Sequence, residues 1–211
     1  SVGGGGNVEA IATLKSREFL GDYISEKALM PVLFAEQWDP SREMWLADRE
    51  EEVPDIRDAV KYFQENVLSV QEDNESLLVS VIVEWTDPSL AAKWAQELVA
   101  QLNERMRQRA LVDAERNVAY LQEQLGAANL TTLRQSIGRL LETELQKLML
   151  ARGNEEFAFK VLDPAQVPKQ RSRPKRMLIV ALGLVLGGML SVVAIFLRHA
   201  WRSNSEDGAP R

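Results

Sequence analysis

Apolar residues in this chain recur in two rhythms, and each stretch of chain keeps to one of them. From Asn7 to Glu26 the spacing is helical, with Val8, Ile11 and Leu14 followed by Phe19, Leu20, Tyr23 and Ile24. Asn7 is placed to cap that helix, because its side chain can accept from the first free amides. Leu29 to Trp38 (LMPVLFAEQW) is a compact apolar turn, and Asp39 to Glu52 is a charged linking segment. Pro54 opens a helix reaching about Glu65, with Ile56, Val60 and Phe63 on one face. Asn66 to Gln71 and Leu77 to Trp85 are rich in β-branched residues and read as two strands, with Glu72 to Glu75 as their turn. Asp87 then caps a helix whose first position is Pro88. Neither proline nor glycine follows until about Gln124, so helix can persist for roughly 55 Å, far beyond the usual length.

The long helix carries Leu90, Trp94, Leu98, Leu102 and Met106 at steps of four. Its centre is crowded with Arg105, Arg107, Arg109, Asp113, Glu115 and Arg116. A helix that polar projects into water or lies against a partner. Gly126 to Asn129 breaks it. Thr131 or Thr132 starts another, with Leu133, Ile137, Leu140, Leu141, Leu145 and Leu148, which Gly153-Asn154 stops. Phe157 to Leu162 (FAFKVL) alternates and predicts a strand returning to the sheet. Pro164, Pro168 and Pro174 then keep the chain extended.

Met177 to Leu197 contains no charged residue. At 1.5 Å per residue it covers roughly 30 Å, the thickness of a bilayer's hydrocarbon core, and its position excludes a signal peptide. The run predicts a transmembrane helix. Gly183 and Gly187 form a GxxxG pair, which Gly188 and Ser191 extend into a small-residue face suited to helix packing.

Charge sharpens this division. Residues 1–168 hold 17 basic and 29 acidic residues, a balance of −12, whereas residues 169–211 hold 8 and 2, a balance of +6. An acidic body argues against nucleic acid as a partner. The basic approach Lys169, Arg171, Arg173, Lys175 and Arg176 suits lipid phosphates. By the positive-inside rule alone it would put the N-terminal side in the cytoplasm. The chain starts Ser-Val-Gly-Gly-Gly-Gly without an initiator Met, and reads as a fragment that has lost an earlier, orientation-setting span. Gly3 to Gly6 reads as a flexible linker, since no Gly-Lys-Ser/Thr follows to make a phosphate loop.

Catalytic chemistry is not marked. Cysteine is absent, and the single histidine, His199, lies just past the apolar run. HExxH, GxxxxGK[ST] and GxSxG patterns do not occur. Glu50-Glu51-Glu52 reads as a solvated loop rather than a cation site. These features predict a non-catalytic protein with no cofactor and no metal.

Three segments together resemble one family. NVEAIATLKSREFLGDYI (7–24), with LMPVLF and Trp38-Asp39, resembles the opening of the chain-length determinant family, the Wzz-like polysaccharide co-polymerases. TDPSLAAKWAQELVAQLNE (86–104) is similar to that family's strand-to-long-helix junction, and FKVLDPAQVPKQRSRPKR to its proline-rich approach to a second span. The resemblance implies an α+β fold, with a mixed α/β base near the membrane and a long helical arm. It implies a first part of the base over 1–86, the arm over 87–152 and a returning strand over 153–163. A juxtamembrane segment (164–176), a transmembrane helix (177–197) and a cytoplasmic tail (198–211) follow. It also implies side-by-side assembly into a ring, with Trp94, Leu98, Leu102, Arg105 and Arg109 as the oligomer-facing arm positions. The implied function is regulation of polysaccharide chain length (O-antigen, enterobacterial common antigen or exopolysaccharide) at the bacterial inner membrane. The main domain would be periplasmic, and the partners an inner-membrane polymerase, membrane lipids and the growing glycan. The alternatives are a membrane-anchored adaptor recruiting a kinase or export component, and, more remotely, a glycan-acting enzyme.

Overall fold

The computed structural model describes residues 5–47, 49–73, 75–127, 129–168, 180–189 and 191. The chain divides into two compact units, Ser1–Val167 and Pro168–Arg211.

The first unit opens with helices α1 (Gly5–Leu14) and α2 (Arg17–Glu26) in place of one long helix. The break is Ser16, whose extended backbone and side-chain oxygen, accepting from the Phe19 amide at 3.2 Å, make it the N-cap of α2. Helix α1 starts at Gly5, so Asn7 is no cap. Its side-chain amide instead donates to the Leu77 carbonyl at 3.3 Å. The apolar turn contains a short helix, α3 (Met30–Leu33). The charged segment carries a small antiparallel pair, β1 (Trp38–Asp39) with β2 (Met44–Trp45), closed by edge-to-face packing of Trp38 on Trp45 at 5.0 Å.

Helix α4 (Ile56–Tyr62) begins after Asp55 rather than at Pro54. Asp55 accepts from the amides of Arg57 and Asp58, and Asp58 returns a bond to the Asp55 amide, a reciprocal cap that proline cannot make. The Arg57 guanidinium, first of several causes, holds the Asp55 carboxyl down at about 2. A π-type turn, Phe63–Val67, carries α4 directly into β3 (Leu68–Glu72), which pairs antiparallel with β4 (Val79–Val83). The two strands and their turn therefore follow expectation. Leu77, in that turn, has φ of 57°, a left-handed conformation costly for a leucine.

Asp87 accepts from the amides of Ser89 and Leu90 and starts α5 (Pro88–Ala127), as the sequence predicts. Helix α5 runs through Gly126, and α6 (Thr131–Gly153) returns along it. The strand expected over Phe157 to Leu162 is not formed. The β3–β4 sheet has two strands, and the backbone around Phe159 bonds a side chain of α5 instead.

The core lies where α1, α2, α4 and β3 meet the first half of α5. Leu14, Phe19, Leu20, Tyr23, Ile24, Phe63, Leu98 and Leu102 are fully buried there. A chain of aromatic contacts joins Tyr23 to Phe63, Phe63 to Trp94 and Trp94 to Trp85.

In the second unit, residues 180–189 and 191 are helical. Among the described residues, no helix is long and apolar enough to cross a membrane. The rest of the run 177–197, with Pro174, His199 and the tail, lies outside the described residues.

Candidate functional site

Two features of the first unit stand out: the α5–α6 hairpin and the groove at its root. The hairpin is zipped by small residues and a few polar bonds. On α6, Ile137, Leu141, Glu144, Leu148 and Ala151 recur at alternating steps of four and three and form its sheltered face. On α5, Ala114, Val118, Leu121 and Leu125 do the same, a seam of coiled-coil type. Ala114 and Ala151 are buried, which lets the helices approach closely. Glu144 accepts from Asn117 at 3.2 Å and from Lys147 at 2.7 Å. These bonds, the lysine first, hold its carboxyl below its ordinary value. Arg152 closes the open end of the seam on Glu115 at 2.9 Å.

Outside the seam the hairpin leaves apolar side chains in water. Val112 and Tyr120 on α5, and Leu133, Leu140, Met149 and Leu150 on α6, are all about half exposed or more. Two helices bury only one face each, so apolar side chains off the seam stay uncovered on more than one side of the hairpin; Leu140 and Met149, nine residues apart, lie on opposite sides of α6.

Three of the five expected oligomer-facing positions are corrected by this geometry. Trp94, Leu98 and Leu102 are buried in the chain's own core, because the first half of α5 packs on α1, α2 and α4. Arg105 is held at home. Its guanidinium reaches Asp22 at 2.7 Å and Glu18 at 2.5 Å and lies 5.9 Å from the centre of the Phe19 ring. Arg109 is half exposed, 3.8 Å from Glu9. Just above them Tyr23 donates to Glu97 at 3.1 Å. Burial first, and the Glu97 carboxylate second, push its hydroxyl above its ordinary range.

The root groove has a volume of about 1030 Å³. One wall is residues 77–81, its floor includes Ala95, Val99 and Asn103 of α5, and the facing wall is residues 158–165. Asn103 is buried and fully engaged. Its side-chain oxygen accepts from the amides of Ala158 at 2.8 Å and Phe159 at 2.7 Å, and its nitrogen donates to the Phe159 carbonyl at 2.9 Å. Two turns earlier, Gln96 donates to the Ala165 carbonyl at 2.7 Å. Sequence reasoning missed both amides. Their signal was present: polar residues seven apart on a face otherwise lined by Ala95, Val99 and Ala100.

Of the proline-rich motif, Pro164 lines the groove and Pro168 is exposed, while Pro174 lies outside the described residues. A methyl group at Gly183, Gly187 or Gly188 would meet nothing within 4 Å, and the Ser191 hydroxyl donates to the Gly187 carbonyl at 2.8 Å. Among the described residues, no group of three or more His, Cys, Asp or Glu is arranged to hold a metal.

No curated protein matches the chain. One family model does, described as "G-rich domain on putative tyrosine kinase", over residues 134–200. That segment is roughly a third of the chain and runs from within α6 through residues 154–163 and the proline-rich approach into the apolar stretch. The domain is typical of polysaccharide co-polymerases and their kinase-linked relatives. It supports that broad likeness without singling out the chain-length determinant branch.

Proposed function

We propose that this chain is a non-catalytic, oligomeric regulator of surface-polysaccharide chain length, a co-polymerase working with an inner-membrane polymerase. Residues 177–197 anchor it in the bacterial inner membrane as a transmembrane helix. The α/β body and the α5–α6 arm stand in the periplasm, and residues 198–211 lie in the cytoplasm. Neighbouring protomers and the growing glycan meet the arm. The basic approach meets lipid headgroups, and the face Gly183, Gly187, Gly188 and Ser191 packs against another helix.

One observation carries this reading. A single family-model match covers most of the arm's second helix, the proline-bearing segment and the apolar run in one stretch. The uncovered apolar side chains on both sides of the arm support assembly, since a two-helix hairpin cannot cover them alone. The corrected interface is the second half of the arm, around Tyr120, Leu140 and Met149, and not Trp94, Leu98 and Leu102.

The mass distribution of surface glycan, with and without the full-length gene, tests the function. A sharp modal length that broadens on deletion is expected, and an unchanged distribution would refute it. A second reading, an adaptor for a separate tyrosine kinase or export component, draws on the description of the matching domain. A deletion that loses kinase recruitment yet leaves glycan length intact would favour it.

A further inference from the structure

The segment 157–162 has the alternation of a strand but no strand partner, and a strand with an open edge faces it across the root groove. The ladder fixes which edge is open. The Glu84 amide donates to Val67 and the Asp73 amide to Leu78, so even-numbered residues of β4 bond β3. The N–H and C=O groups of Val79, Val81 and Val83 therefore point to the other edge. On the far wall the segment is held by side chains. Asn103 takes three backbone groups at Ala158 and Phe159, and Gln96 takes one at Ala165. Because Phe159 sits at Asn103 and Ala165 at Gln96, the segment runs opposite to α5. Helix α5 itself doubles back from β4 after a short turn. The segment thus runs parallel to β4, as the second strand of a β–helix–β crossover does.

We infer that residues 157–165 form a switchable strap with two positions: latched to α5 by Asn103 at Ala158 and Phe159 and by Gln96 at Ala165 with the groove open, or with residues 157–162 added to β4 as a third strand and the groove closed. The two positions exchange like for like. Unlatching releases four side-chain bonds, and pairing satisfies the open backbone groups of Val79 and Val81. Near balance of this kind is what lets both positions be populated. Phe159, packed against the core, is the pivot in both. A two-stranded sheet is weak alone, so the third strand also stiffens the root from which α5 departs.

Amide hydrogen exchange on the full chain tests this without any assay of glycan. In Asn103→Ala, protection at Val79 and Val81 rises, while whichever of the adjacent Ala158 and Phe159 amides points away from β4 loses protection, by about tenfold for the loss of a strong buried bond. Gln96 is exposed, so Gln96→Ala keeps the fold and produces the same reciprocal change, a few-fold in size. If either alanine variant frees Ala158 or Phe159 without protecting Val79 and Val81, the segment only frays and the switch is refuted. Unchanged exchange at all four amides refutes it equally.

Discussion

Helix α5 is one unbroken element in two environments. From Ala91 to Asn103 it buries seven residues, of which Trp94, Leu98 and Leu102 belong to the core shared with α1, α2, α4 and β3. From Glu104 to Ala127 only Ala114 is buried, and α6 is its support. The first half is held by apolar area; the second by a narrow seam, small residues and polar bonds. The helix rhythm is the same in both, so periodicity announces a helix without revealing which half has a core beneath it.

The widest separation between the halves comes from truncation in the core. Leu98→Ala, at a fully buried site, should cost about 2–5 kcal/mol, read as a lowered denaturant midpoint of the whole unit. A drop no greater than that of a surface substitution would break the distinction.

Overpacking the seam comes next. Ala151→Leu forces a branched side chain between helices that approach over alanine and should cost about 1–3 kcal/mol. Hydrogen exchange should show the loss confined to α6 and the second half of α5, with the core amides unchanged.

Alkali should attack one half before the other. The Glu144 carboxyl is held below its ordinary 4.5, so its contribution to the seam is complete above that value and fades as pH falls through the lower folded value. The Tyr23 hydroxyl is raised above its ordinary 10.0, so its contribution to the core is complete below pH 10 and is lost as pH rises. Exchange measured against pH should therefore show the core loosening before the arm in alkali, whereas in acid the Glu144 seam and the Asp55 cap of α4 both weaken. The reverse order in alkali would remove the assignment.

The smallest effect sharpens the comparison most. Met149 is 71% exposed, so Met149→Ala should change protomer stability by less than about 0.5 kcal/mol. Its expected effect is on the distribution of oligomers in native mass measurements. A large loss of protomer stability would mean that α6 buries this face within its own chain.

Legibility in the sequence followed locality. The start of α5 was readable because Asp87 and Pro88 act within one turn. The β3–β4 hairpin was readable because its β-branched runs flank a polar turn. Ser16 and Asp55 were missed as caps, since an uninterrupted apolar rhythm and a nearby proline pointed elsewhere. The strand at 157–162 failed for a non-local reason: its bonds go to Asn103, more than fifty residues away in sequence. Trp94, Leu98 and Leu102 failed similarly, because steps of four look alike over a protomer's own core and over a neighbour.

The continuity of α5 has a mechanical corollary. Neither proline nor glycine interrupts it from Ser89 to Leu125, so it has no hinge and acts as a lever. Beyond its seat it extends roughly 30 Å, and a tilt of about 10° at the root would carry the tip by roughly 5 Å, about one helical turn. A displacement too small to disturb the core is thus large enough to shift the tip by a whole register.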